Sequence, residues 1–226
     1  MAFIYLYRKR LNSRWNIDST LATDVRSYTY KELEEATRGF KKTVGKCAFG
    51  TVYKGVLPSD SKRFVAVKKL GKVVEEGEKE FKTKVSAISQ THHKNLVCLL
   101  SYCDEGQHRL LVYEYMSNGS LASFLFGIFR PHWNQRVQIV FGIARGLMYL
   151  HEECSTQIIH CDIKPQNILL DEYFTPRIAN FGLAKLLSAE QTRVARTAIR
   201  GTIKYFALNG LEKHPFQLRL MFTVLV

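Results

Sequence analysis

An α+β fold of two unequal lobes, strand-rich first and helical second, is the architecture the sequence predicts. Three observations carry it. Short β-branched and aromatic runs recur between 44 and 115, and apolar residues between 133 and 154 repeat at helical spacing. The texture changes from one to the other just after Asn118-Gly119-Ser120.

The elements follow in chain order. Ala2 to Tyr7 is an apolar run stopped by Arg8-Lys9-Arg10. Spanning a bilayer takes about 20 apolar residues, so the run reads either as the inner end of a membrane helix or as a short ordinary N-terminus. It is too short for a secretory signal and no small-residue cleavage site follows it. Residues 11–40 read as a polar linker with one short helix, marked by Tyr30, Leu33, Ala36, Thr37 and Phe40. Val44-Gly45, Thr51 to Val56 and Phe64 to Lys69 are strand-like, with Pro58-Ser59-Asp60 as a turn. Glu75 to Gln90 predicts a helix on Phe81, Val85 and Ile88; Leu96–Tyr102 and Arg109–Tyr115 predict two more strands. Trp133 to Cys154 predicts a long helix with Val137, Val140, Ala144, Leu147 and Met148 on one face.

Composition excludes several classes. The chain of 226 residues is 46% hydrophobic, enough for a packed core. Its net charge is +13, but Arg8, Lys62, Lys94, Arg136 and Arg193 are scattered rather than gathered in a stripe, which argues against nucleic acid. Five cysteines form no CxxC pair, so neither a zinc site nor a disulfide framework is expected. That suits a reducing compartment.

Five motifs stand in order. Gly45-Lys46-Cys47-Ala48-Phe49-Gly50-Thr51-Val52 lies between two predicted strands, where a glycine-rich hairpin lets backbone N–H groups close over phosphates. Val65-Ala66-Val67-Lys68 is a strand ending in a lysine suited to phosphate oxygens. His160-Cys161-Asp162-Ile163-Lys164-Pro165-Gln166-Asn167 has the spacing of a phosphoryl-transfer loop. There Asp162 would accept a hydroxyl proton, Lys164 would neutralise the transferring group, and Asn167 would hold a metal. Asn180-Phe181-Gly182 stands in the place of D-F-G, and Gly201 to Ala207 stands just before the place of A-P-E.

With these residues the chain resembles the plant receptor-like serine/threonine protein kinases, and most of all the lectin receptor-like kinases. Further support comes from Tyr28 to Thr37, Lys94-Asn95-Leu96-Val97 and Leu111 to Leu121. The resemblance runs from about 28 to 207. It implies a bilobal kinase-like fold: a juxtamembrane-like segment over 1–40, an N-lobe over 41–116, a partial C-lobe over 117–207 and a divergent tail over 208–226. It also implies ATP between the lobes, with Gly45, Gly50 and Lys68 at the phosphates. Val52, Ala66 and Leu169 would sandwich the adenine, Glu114 to Met116 would form the hinge, and Tyr113 would sit behind. Asp162, Lys164 and Asn167 would be catalytic, with Mg2+ held by Asn167 and, weakly, Asn180. Cys161 resembles the subclass lacking arginine before the catalytic aspartate.

The departures from the family weigh on mechanism. Lys84 stands where a glutamate should face Lys68, with Glu80 one turn away, and Asn180 replaces the metal-binding aspartate. Cys47 adds a side chain where glycine allows close approach to phosphate. Leu208-Asn209 replaces Pro-Glu, and the helical lobe is expected to be incomplete, short of a typical domain by roughly a hundred residues. Phosphate acceptors in the activation segment would be Ser188, Thr192, Thr197 and Thr202. The expected function is therefore a serine/threonine kinase domain with impaired or lost turnover; the alternative is a non-catalytic interaction fragment. Expected partners are ATP, receptor-kinase relatives or substrate proteins. Membrane association is expected only through the N-terminal segment, with a location in the cytoplasm or on the inner face of the plasma membrane.

Overall fold

The computed structural model describes residues 27–47, 49–57, 63–71, 78–128 and 130–187. The expectations for residues 1–26, for Pro58-Ser59-Asp60 and for everything from Ser188 onward lie outside the described residues, as does the side chain of Glu80.

Five antiparallel strands form the small lobe: β1 (Thr43–Cys47), β2 (Gly50–Val56), β3 (Phe64–Leu70), β4 (Leu99–Glu105) and β5 (His108–Glu114), in the order β1-β2-β3-β5-β4. The register sets Val52 beside Lys68 and Ala66 beside Tyr113. Alternation puts Val65 and Val67 on the buried face with Cys103, Leu110 and Val112. A short helix, α1 (Tyr30–Ala36), closes that face. Thr29 and Glu32 make a reciprocal capping box, and Leu33 enters the same core at 0% exposure. The preceding Tyr28 is buried too and donates its N–H to Tyr102 O at 2.9 Å. Residues 27–37, expected as linker, thus pack as part of the small lobe.

Helix α2 (Glu78–Ser89) presents Phe81, Val85 and Ile88 to the core as expected. The strand expected from Leu96 begins only at Leu99, because the intervening backbone is bonded elsewhere. Val97 N–H donates to Ile178 O at 2.9 Å and Ile178 N–H donates to Asn95 O at 2.8 Å. This stitch joins the small lobe to the large one.

The large lobe holds α3 (Leu121–Phe126) and α4 (Trp133–Met148), then a π-helical turn, Tyr149–Glu153, that completes the expected long helix. Four short strands finish the described fold: β6 (Gln157–Ile159), β7 (Ile168–Leu170), β8 (Pro176–Ile178) and β9 (Lys185–Leu187), with β6 on β9, β7 on β8, and both pairings antiparallel. The buried face of α4 is Ile139, Val140, Ile143 and Leu147, rotated from the expected stripe so that Met148 is exposed. Glycines decide that rotation. A Cβ on Gly142 would stand 2.5 Å from Pro176 Cγ, and one on Gly146 would stand 2.9 Å from Ile178 Cδ1. The glycine edge lets α4 press directly against β8, which holds up the loop that follows His160.

Candidate active site

The site is assembled where β3 meets the turns flanking β7 and β8. At the tip of the β1–β2 hairpin Gly50 adopts φ +148°, and a Cβ there would lie 2.2 Å from Lys69 O. Only glycine fits. Cys47 is exposed at the same tip and its Sγ–H donates to Gly50 O at 3.4 Å. Phe49 folds inward, close enough to Gly182 that a Cβ there would meet its ring at 3.2 Å.

Lys68 is buried, 6% exposed, and burial lowers its ammonium pKa against the raising influence of Cys47 and Asp162. Its Nζ donates to Asn180 Oδ1 at 2.7 Å. Asn180 Nδ2 donates to Asn167 Oδ1 at 3.1 Å, and Asn167 Nδ2 donates to both Asp162 O and Asp162 Oδ2 at 2.8 Å. Lys164 Nζ closes the series on Asp162 Oδ2 at 3.0 Å. Motif spacing marks four of the five, Lys68, Asp162, Lys164 and Asn167, as phosphate-holding or catalytic, and the fifth, Asn180, as the altered metal position. The structure brings all five into one continuous chain of bonds.

The loop geometry rests on His160, 1% exposed. Its Nδ1 accepts from Asp162 N–H at 3.2 Å, so the ring proton sits on Nε2 and goes to Ala179 O at 2.8 Å. Burial holds this imidazole neutral, its pKa pulled down to about 4. Its ring meets Phe181 edge-on at 5.0 Å. Cys161 and Asn180 take left-handed φ of 61° and 67°, so both bends of the site are strained turns.

On the opposite side Val52, Ala66 and Leu169 are half-buried. Met116 packs with Val97 and Ala179, and Leu169 lies against that cluster. The Glu114 carboxylate is turned to structure: it accepts from Cys98 N–H at 2.9 Å and Arg177 Nη1 at 3.3 Å. Arg177 also grips Asp171 Oδ2 at 3.0 Å. Burial alone would raise the Asp171 carboxyl, yet the N–H groups of Thr175 and Tyr173 and the Arg177 guanidinium hold it below its ordinary value. Sequence reasoning misses Arg177; its one available signal is the β7–β8 hairpin, which folds it back beside Leu169. Phe49 belongs to the hairpin motif, but motif spacing gives it no role.

Behind Lys68 lies a small cavity of about 40 Å³ whose lining includes Lys68, Lys84, Phe49, Tyr113 and Phe181. Burial raises the Tyr113 phenol far above its ordinary range, so it stays neutral.

A loop carrying a buried aspartate bonded to lysine and asparagine, and linked through a second asparagine to a strand lysine under a glycine hairpin, has the parts of a protein-kinase site. Residues 39–219 match the family of protein tyrosine and serine/threonine kinases. The chain belongs to the protein kinase family. The match extends beyond Ala207, the point where recognisable motifs end. Within the family its relatives are plant lectin receptor-like kinases. The rice (Oryza sativa subsp. japonica) G-type lectin S-receptor-like serine/threonine-protein kinase LECRK1 is 58% identical over 183 residues, 81% of this chain and 22% of that protein. Arabidopsis thaliana G-type lectin S-receptor-like serine/threonine-protein kinase RLK1 is 53% identical over 212 residues, 90% of this chain and 25% of that protein. The kinase chain thus spans about a quarter of the length of the curated relatives it matches. Among the described residues no helix is long and apolar enough to cross a membrane.

Kinases of this family use ATP with Mg2+. The site residues do not fit the metal. Asn180 Oδ1 already accepts from an ammonium, Asn167 Oδ1 already accepts from an amide, and among the described residues no cluster of three His, Cys, Asp or Glu is present. A hard divalent cation prefers several charged or open oxygens.

Proposed function

We propose that this kinase domain binds adenine nucleotide between its lobes and that phosphoryl transfer to serine or threonine is impaired or lost. The observation that carries the reading is the bond from Lys68 to Asn180. In an active kinase the strand lysine pairs with a helix glutamate, and the D-F-G aspartate holds metal. Here lysine fills the first place and a neutral amide the second.

The supporting arrangement is otherwise conventional for the family. Val52, Ala66 and Leu169 stand where an adenine ring would be sandwiched, with the backbone of Glu114 and Met116 at its edge. Gly45, Gly50 and Lys68 stand at the phosphates. A bound nucleotide would supply a γ-phosphoryl group. Asp162 is held by Asn167 and Lys164 in the position of the residue that takes the proton from an acceptor hydroxyl. Because the relatives are described as receptor-like kinases, we place the chain on the cytoplasmic side, with receptor-kinase relatives or substrate proteins as partners.

Thermal melting of the 226-residue chain with ATP, with and without magnesium, tests binding. The expected result is a modest rise that magnesium does not enlarge. A radiolabelled transfer assay beside Asp162→Ala tests turnover, with equal background expected from both. Label transfer that disappears in Asp162→Ala would overturn the loss of activity, and a large magnesium-dependent rise would overturn the metal reading.

A further inference from the structure

The tip of the β1–β2 hairpin folds down over Lys68. Phe49 lines the same cavity as Lys68, its ring centroid 5.9 Å from the ammonium nitrogen. Cys47, at the same tip, lies within hydrogen-bonding reach of that ammonium. Its sulfur accepts from Lys68 while its S–H donates to Gly50 O at 3.4 Å. A thiol and a lysine nitrogen are thereby held against each other, in unlike surroundings. Of the five cysteines, all of them described, Cys47 alone is exposed. Burial pushes up the thiols of Cys98, Cys103 and Cys154, Cys103 to about 11, which leaves little of the reactive thiolate. Lys68 is buried, so water has little access to its nitrogen. Desolvation lowers its ammonium pKa, which brings the free amine within easier reach.

We propose that Cys47 and Lys68 form a reversible, peroxide-driven covalent link, a sulfenamide, across the mouth of the site. The Cys47 sulfur first attacks one oxygen of hydrogen peroxide, and the O–O bond breaks. The other oxygen leaves with the S–H proton as water, and the oxidised sulfur becomes a sulfenic acid. The lone pair of the Lys68 amine then attacks that sulfur. The S–N bond forms, the S–O bond breaks, and the hydroxyl leaves as water with a proton from nitrogen. Condensation of a sulfenic acid with nitrogen consumes no further oxidant. A thiol reductant reverses the link: one thiol attacks the sulfur and frees the amine, and a second completes the disulfide. The product ties the hairpin tip to β3 and withdraws Lys68 from phosphate. That consequence rests on the nucleotide reading; the link itself does not.

The 226-residue chain is treated with hydrogen peroxide, digested with trypsin without reduction, and mapped by mass. A species joining Cys47–Lys54 to Phe64–Lys69 is expected, uncut after Lys68 and about 2 Da below the sum of its parts. Dithiothreitol should abolish it, and so should oxidation in strong urea, where the fold no longer pairs the two groups. Cys47→Ser should not form it. Lys68→Arg carries a guanidinium that keeps its proton, so Cys47 should stop at the sulfenic acid and be captured by dimedone. Oxidation of Cys47 in the folded, unaltered protein without the linked species overturns the proposal, as does a linked species that forms equally in urea. Should Lys68→Arg fail to fold, the map of the unaltered protein decides by itself. Displacement of a fluorescent nucleotide is read separately. A link that forms without loss of ATP binding counts against the nucleotide reading alone, and ATP binding with no link counts against the link alone.

Discussion

Asn180 is the residue on which the chemistry of the cleft turns. Its amide oxygen is committed to Lys68 and its amide nitrogen to Asn167, so one side chain is both acceptor and donor in the chain of bonds. A carboxylate has no donor. Asn180→Asp would keep the contact to Lys68 and release Asn167 Oδ1 as an open oxygen. We expect the variant to gain a magnesium-dependent rise in melting temperature with ATP that the unaltered protein lacks, measured by thermal shift. His160 carries a second prediction at this scale. Its folded pKa of about 4 lies below the ordinary value of 6.5, so the unfolded chain binds more protons between those values. The stability it contributes is therefore complete above pH 6.5 and is lost as pH falls toward 4, by on the order of 3 kcal/mol. Urea unfolding at pH 7 and pH 5 measures the loss, and His160→Gln should flatten that pH dependence.

At the scale of elements the outcome of reading the sequence varies with what each residue is asked to do. Phe81, Val85 and Ile88 are legible as the buried face of α2 because helix periodicity and packing agree there. The strands β3 and β5 are legible because they alternate against a single core, and β2 because Thr51, Val52, Tyr53 and Val56 make a β-branched and aromatic run. The face of α4 is not, because apolar spacing treats glycine as silent, while Gly142 and Gly146 set the contact with β8. Nor is the start of β4, because Asn95 and Val97 bond across to Ile178, a partner so far along the chain that no local pattern reveals it. The positions of the loop from His160 to Asn167 are marked by motif spacing, but the bond from Lys68 to Asn180 is not legible, since motif spacing names positions without partners. Gly142→Ala tests the packing claim. Ala favours a helix interior by roughly 0.5–1 kcal/mol over Gly, whereas forcing a Cβ against the Pro176 ring costs about 1–3 kcal/mol. The clash should win, lowering the urea midpoint.

For the whole molecule, charge and surface pull in opposite directions. A net charge of +13 disfavours self-association. The described surface of the large lobe nevertheless carries Phe126, Ile128, Trp133, Phe141 and Met148, of which Ile128 is 94% exposed. Apolar surface of that kind promotes association. Trp133 and Phe141 lie on the outer side of α4, away from Ile139, Val140, Ile143 and Leu147. We expect Trp133→Lys together with Phe141→Glu to shift sedimentation toward monomer and raise the concentration at which the protein precipitates. Its stability to urea should remain within about 0.5 kcal/mol of the unaltered protein, as surface changes usually do.

The stitch of Asn95 and Val97 to Ile178 would also set the point about which one lobe turns on the other. Backbone bonds at 2.8 and 2.9 Å hold the back of the molecule, so any rocking of one lobe on the other turns about this point like a lever about its fulcrum. Displacement then grows with distance from it. On the proposed nucleotide reading, the adenine end, beside Met116 and Val97, would sweep little, while the tip at Cys47 to Gly50 would sweep most. Opening and closing would therefore change the proposed grip on phosphates far more than that on the base, and nucleosides and nucleotides should respond differently to anything that moves the lobes.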